Sequence, residues 1–498
     1  MNINDLMGTL SAGYYARQVL AIIVLSLAGW LLLWLLRGGY SAFFRGLLAF
    51  PAGLSYFAVL SFILLGTGIR FSPVSVSVLA GAGIAIAFLL FLRRGKESGE
   101  SCLKQLAFFL PAVVLGALVC CSGILSVGID NDSVFFYSSY PQILAKEGAW
   151  RPQFDMYLTN VGPVAAIINT LPFLFGFSQT FGIQHFLNLN FLLVFGFCLK
   201  EKTESRLLGL SAVLYLATLP AFLVTAKWVM AGDYFMIFFF LLFAAGEEAG
   251  GKERKPFGAD RSLSLVLFSS VLSLVRQEGS LFVMLLAVCF SALYFTSRQL
   301  MGLMVLPSLL MLFLYYARIY LILGIRPEKT FLTPAKASMI LAMCIASGIY
   351  VLAVQKVLLP KRRRLALLLP VLLLFMGNIL MLFLNPHLYL ANLHALVLNI
   401  WQRNGWGYFG IMAFLALCLV LFRMIQSRSI GFLLSDAVLL SFLLAVLAAC
   451  FARGDALQLG IGDSGNRLML TAVPMVVYAM LVRLFVPMDA QDRKEVRS

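Results

Sequence analysis

The stretch KRRRLALLLPVLLLFMGNILMLFLN, residues 361–385, decides the fold class. Four consecutive cations, Lys361 to Arg364, are followed by a run without a single charge. Such a run is about as long as the ~20 residues an α-helix needs to cross a ~30 Å hydrocarbon layer. Its apolar residues do not alternate with polar ones, so it is not a barrel strand. Within lipid every backbone N–H and C=O has to bond internally, which leaves a helix. The cations at its start mark a cytoplasmic end, because Lys and Arg concentrate in cytoplasmic loops.

The rest of the chain repeats this pattern. Of 498 residues, 61% are hydrophobic and 12% are charged, and the mean hydropathy is +0.94. A soluble domain carries roughly twice that share of charge. Apolar runs lie near 18–36, 47–67, 74–93, 105–127, 182–199, 207–225, 231–246, 262–275, 279–297, 300–323, 337–356, 365–385, 406–424, 432–452 and 468–487. The expected fold is an all-α, polytopic transmembrane helical bundle of about 13–15 spans. The segment 161–178 carries Pro163, Asn169 and Pro172 and is expected as an interfacial or re-entrant helix. Three regions are expected: N-terminal transmembrane helices over 1–104, a central module over 105–300 with the outer loop 128–160, and a C-terminal transmembrane module over 301–498.

The net charge is +16. The Lys and Arg residues are scattered over short loops, so they orient helices and do not form a nucleic-acid surface. Seven of the eight cysteines lie in apolar runs, which suits packing and not a disulfide framework. His185, His387 and His394 lack metal-ligand spacing. The charge bias places the N-terminus outside and the C-terminus inside, with 128–160 as the longest outer loop.

Four outer segments hold the candidate chemistry. Asp130 and Asp132 open the long loop, followed by Tyr137. Two such carboxylates can bind a divalent metal or take a proton from a hydroxyl, although Asp-Asn-Asp also forms turns. The next outer loop, between 207–225 and 231–246, carries Lys227 and Asp233; a lone Asp there also suits a helix cap. Arg276-Gln277-Glu278 sits between two apolar runs, as a functional pair or a self-neutralising hairpin turn. Gly462-Asp463-Ser-Gly465-Asn-Arg467 precedes the last run and could cradle an anion, because exposed N–H groups and a guanidinium both suit phosphate. Arg318 lies about one turn inside the outer end of the run 300–323 and needs a carboxylate or a lipid phosphate to neutralise it.

In this order and on this side, these features resemble the GT-C superfamily of integral-membrane glycosyltransferases. The residues that carry the resemblance are Asp130 and Asp132, Tyr137, the segment Gln142 to Gly148, Asn160-Val-Gly-Pro163, Asp233 before an aromatic run, and Arg467 ahead of Pro474. The resemblance spans roughly 105–300 and the last run. This sequence departs from the family in having three runs ahead of the first acidic loop and no large domain after the last run.

The resemblance implies a polyprenyl-phosphate-linked sugar donor and an acceptor glycan, lipid or protein, with no nucleic acid. It places the active site at the extracytoplasmic face of a multi-pass protein of the plasma (inner) membrane. It implies Asp130, Asp132 and Asp233 as catalytic acids, and Arg467, Arg276 and Arg318 at the donor phosphate. Tyr137, Lys227, Glu278 and Asp463 are further candidates. Any Mg or Mn would sit on Asp130 and Asp132. The competing expectations are a polytopic transporter or lipid-linked glycan flippase, and an O-antigen polymerase- or ligase-type enzyme. A transporter would show inverted repeats and mid-membrane charges, which the sequence does not.

Overall fold

The computed structural model describes residues 12–36, 38–92, 139–154, 158–159, 161–176, 181–219, 222, 231–249, 258–292, 295–325, 332–357, 363–402, 409–426, 430–452, 454–457, 459 and 469–486. Among these the regular secondary structure is helical throughout, without strands.

In chain order the helices are α1 (Ala12–Leu35), α2 (Ala42–Thr67), α3 (Pro73–Leu92), α4 (Tyr140–Glu147), α5 (Pro163–Leu174), α6 (Phe181–Thr203), α7 (Arg206–Thr218), α8 (Ala231–Ala249), α9 (Ala259–Val275) and α10 (Gly279–Ser291). After them come α11 (Ser297–Ile322), α12 (Pro334–Val357), α13 (Arg363–Leu384), α14 (Pro386–Gln402), α15 (Phe409–Gln426), α16 (Ile430–Ala452) and α17 (Ala472–Phe485).

Among the described residues, seven helical stretches are long and apolar enough to cross a membrane: Ala42–Thr67, Pro73–Leu90, Ile183–Thr203, Ser297–Ile322, Pro334–Val354, Leu365–Leu384 and Leu434–Ala452. Other expected spans form shorter apolar helices, among them Val19–Leu35, Arg206–Thr218, Gly279–Ser291, Phe409–Phe422 and Ala472–Phe485. Local sequence sets some of these ends. Leu219, the residue after α7, is extended, as expected ahead of Pro220. The run 105–127 lies outside the described residues. The 161–178 segment forms the twelve-residue α5, buried along nearly its whole length. At 1.5 Å per residue it rises only ~18 Å, too short to span.

The chain divides into two compact units. Unit 1 is Met1–Val194, Thr225–Ser280 and Leu306–Ala342; unit 2 is Phe195–Val224, Leu281–Val305 and Met343–Ser498.

In unit 1, α1 packs on α2 by direct backbone approach. A Cβ at Gly29 would lie 1.9 Å from the Ala49 carbonyl oxygen, and one at Gly53 would lie 1.9 Å from that of Leu25. Small residues permit such close helix crossings where water supplies no drive for association. Ser41 caps α2, its Oγ accepting from the Phe44 N–H at 3.2 Å. Helices α8 and α9 pack against one another.

In unit 2, α16 packs against α13 and α17. Arg483 of α17 forms an ion pair with Asp436 of α16, both fully buried; its Nε donates to Asp436 Oδ1 at 3.2 Å. Asn378 of α13 donates to the Leu444 carbonyl at 3.1 Å and accepts from the Tyr389 hydroxyl at 3.0 Å.

Candidate functional site

One end of unit 1 gathers several sequence-expected residues. The described residues 139–154, 158–159 and 161–163 lie there as a strap. Helix α4 stops at Gly148, whose φ of 68° is the left-handed conformation that ends helices. The Gly148 carbonyl accepts from the Phe71 N–H at 2.7 Å, which ties the strap to the turn after α2. Trp150 is buried between Phe62 and Tyr315, with ring centroids 5.8 and 6.1 Å away.

Further along, two carbonyls of the strap accept from two separate elements. The Tyr315 hydroxyl of α11 donates to Leu158, and the Gln277 side-chain amide donates to Thr159. Gly162 presses against the end of α9: a Cβ there would lie 2.2 Å from the Leu274 carbonyl oxygen. The strap therefore fixes the Arg276–Glu278 turn and the end of α11 relative to one another.

Arg276 donates through Nε to Glu278 Oε1 at 2.6 Å, with both side chains about one-fifth exposed. The pair is the self-neutralising turn that the sequence allowed, at the surface of the unit. Arg318 lies in a π-helical turn, Ala317–Ile322, a form frequent at functional sites. Its guanidinium packs over Gly68, the left-handed C-cap of α2. Its Nε is sealed from solvent without a hydrogen-bond partner. Among the described residues no carboxylate pairs with Arg318. Of the two neutralising partners expected for it, the carboxylate is thus absent there.

Asp233 lies in the first turn of α8, at the helix N-terminus that the sequence also allowed for it. It is 1% exposed. Gln184 of α6 donates to Asp233 Oδ2 at 2.7 Å. His185 and Asn188 are also buried. Asn188 stands one helical turn from Gln184, and neither its Nδ2 nor its Oδ1 has a hydrogen-bond partner. Buried polar groups are nearly always paired, so this amide stands out.

Arg276, Glu278 and Arg318 thus stand near the strap, through Gln277 on Thr159, Tyr315 on Leu158, and Gly68 at the end of α2; Asp233 is joined to Gln184 at the start of α6. Asp130, Asp132, Tyr137, Lys227, Asp463 and Arg467 lie outside the described residues. Among the described residues no group of three or more His, Cys, Asp or Glu could hold a metal ion; the carboxylates expected to do so, Asp130 and Asp132, are not among them.

Sequence reasoning passed over Gln184 and Asn188. Their signal was present: two amides four residues apart, hence on one helical face, within an apolar span. Compared with known proteins, the chain matches no family model, no curated protein and no solved structure.

Proposed function

We propose that this protein is an integral-membrane glycosyltransferase that moves a sugar from a polyprenyl-phosphate donor to a glycan, lipid or protein acceptor. The observation that carries this reading is that one strap joins the turn bearing Arg276 and Glu278 to the helix end bearing Arg318. A lipid-linked donor cannot leave the bilayer, so its phosphate has to be met at a helix end by cations, with carboxylates nearby. Arg318 meets that need best, as a guanidinium one turn inside a membrane-length helix with no carboxylate partner among the described residues.

In the reaction, Asp130 or Asp132 accepts the proton of the acceptor hydroxyl. The hydroxyl oxygen bonds to the anomeric carbon from the face opposite the phosphate. The bond from that carbon to the phosphate oxygen breaks, and its electron pair leaves with the polyprenyl phosphate. Arg318, Arg276 and Arg467 offset the charge on that leaving group. Asp233, held by Gln184, is the second acidic residue. The active site faces the outside of the plasma membrane.

The test is transfer by the purified full chain in detergent, with polyprenyl-phosphate-linked sugars as donors and release of polyprenyl phosphate as the readout. Release with no donor of this class would remove the reading.

A second reading, a polytopic transporter, is favoured by the buried Asp233, Gln184, His185 and Asn188 inside a helical bundle, since intramembrane polar residues often mark substrate pathways. Transport needs two sealed compartments, whereas sugar transfer in detergent does not.

A further inference from the structure

The turn after α2 carries a second guanidinium near Arg318, that of Arg70, whose side chain is exposed. Two left-handed glycines seat the pair. Gly68, with φ of 81°, ends α2, and a Cβ there would lie 2.8 Å from Arg318 Nη1. Gly148, with φ of 68°, ends α4, and a Cβ there would lie 3.3 Å from Arg70 Cγ and 2.8 Å from the Phe71 carbonyl oxygen. At each glycine the lack of a side chain lets an arginine lie against the main chain. Gly68 and Arg70 are two residues apart, so their Cα atoms lie within about 7 Å of each other. Arg318 therefore packs at the start of the turn from which Arg70 reaches the strap.

Two like charges on one turn favour an anion between them. Among the described residues no carboxylate pairs with Arg70 or Arg318. Glu147, beside Gly148 in sequence, is taken by Arg151 at 2.8 Å. Arg318 is partly exposed, and only its Nε is sealed from solvent; Nη1 and Nη2 are not. Guanidinium Nη groups suit the oxygens of a phosphate.

The surface beside the pair is apolar. Ile69, between Gly68 and Arg70, is exposed. Helix α3 starts at Pro73, and its Val74 and Val78, on one face, are exposed as well. On α11, Leu310 and Phe313 are exposed before Arg318, and Leu321 and Ile322 after it. Both helices pack on α2, and both contain membrane-length stretches. We infer that Arg70 and Arg318 together hold the phosphate of a lipid, whose tail lies along the exposed apolar side chains of α3. The phosphate oxygens accept from the Arg70 guanidinium and from Nη1 and Nη2 of Arg318. The inference rests on the proposed role of Arg318 at a lipid phosphate and adds Arg70 to it.

The melting temperature of the purified full chain in detergent is followed as polyprenyl phosphate, phosphatidylglycerol, polyprenol or inorganic phosphate is added. At least one of the two lipid phosphates should raise it, at concentrations where polyprenol and inorganic phosphate do not. Arg70→Gln, at an exposed position, should raise the concentration needed by about tenfold or more, as expected when a hydrogen bond to a charged group is lost. Arg70→Lys keeps the charge and should show a smaller shift. No rise with either lipid phosphate, an equal rise with polyprenol or inorganic phosphate, or an unchanged concentration for Arg70→Gln would overturn the site. A rise with phosphatidylglycerol alone supports the site and removes polyprenyl phosphate from Arg318, so failure of the donor reading is told apart from failure of this one.

Discussion

The Gln184 side-chain amide donates to the Asp233 carboxylate at 2.7 Å, from one helix to another, with both groups buried. The bond places an acidic side chain of α8 at the start of α6 and holds it in one orientation. Removing the donor leaves that carboxylate short of a partner. Gln184→Leu should destabilise the protein by about 1–3 kcal/mol. It should lower sugar transfer more than Asp233→Asn lowers stability, because the asparagine can still bond to Gln184. Paired thermal melts and transfer rates check both halves.

Asn188 makes the opposite case. Its buried amide has no hydrogen-bond partner, so Asn188→Leu relieves a desolvation penalty of roughly 1–3 kcal/mol. The variant should melt higher than the parent. If Asn188 serves substrate, the same variant should transfer sugar more slowly, the trade between stability and activity usual at functional sites. A lower melting temperature would show that the amide is structurally satisfied.

Arg483 and Asp436 form a fully buried pair in unit 2. Removing one partner strands a charge. Asp436→Leu or Arg483→Met alone should cost about 3–5 kcal/mol, while the double variant should recover most of that loss. A double-mutant cycle on melting temperature measures the coupling. Additive losses would mean that the pair contributes nothing as a pair.

Gly29 and Gly46 are both helix-region glycines with opposite expectations. Gly29→Ala places a Cβ against the Ala49 carbonyl and should separate α1 from α2, with poor yield of folded protein. Gly46→Ala meets open space and should be neutral or gain up to ~1 kcal/mol of helix propensity. Size-exclusion profiles of the two variants make the comparison.

The run 361–385 made the membrane class legible because length and hydropathy alone carry that signal, and Leu365–Leu384 is a membrane-length helix. Helix ends were harder. Among the described residues of the run 468–487, the helix is Ala472–Phe485, since capping and packing set ends and hydropathy does not. At the candidate site, Arg318 was legible because a cation inside an apolar run is conspicuous. The environment of Asp233 was not, because its partner Gln184 is 49 residues away in sequence. Nor could the sequence pair the Asp260 carboxylate with the Tyr40 N–H, which depends on how α9 meets the turn before α2.

The charge bias predicts Lys361–Arg364 inside and 128–160 outside. In a cysteine-free background, a Cys placed at Ala149 should react with an impermeant reagent applied from outside the cell, and one at Lys361 should not. The reverse pattern would invert the topology.

Sugar transfer is proposed to depend on the carboxylates of the first acidic loop. The most direct measurement is the rate of transfer from a polyprenyl-phosphate-linked sugar by the purified double variant Asp130→Asn/Asp132→Asn. Asparagine keeps the size and polarity of each side chain but cannot accept the proton, and loss of general-base assistance slows a reaction about 10²–10⁴-fold. The account predicts a fall of that order, with the melting temperature and elution profile of the parent retained. Transfer at the parental rate would contradict it, and would reduce Asp130 and Asp132 to residues of a surface turn.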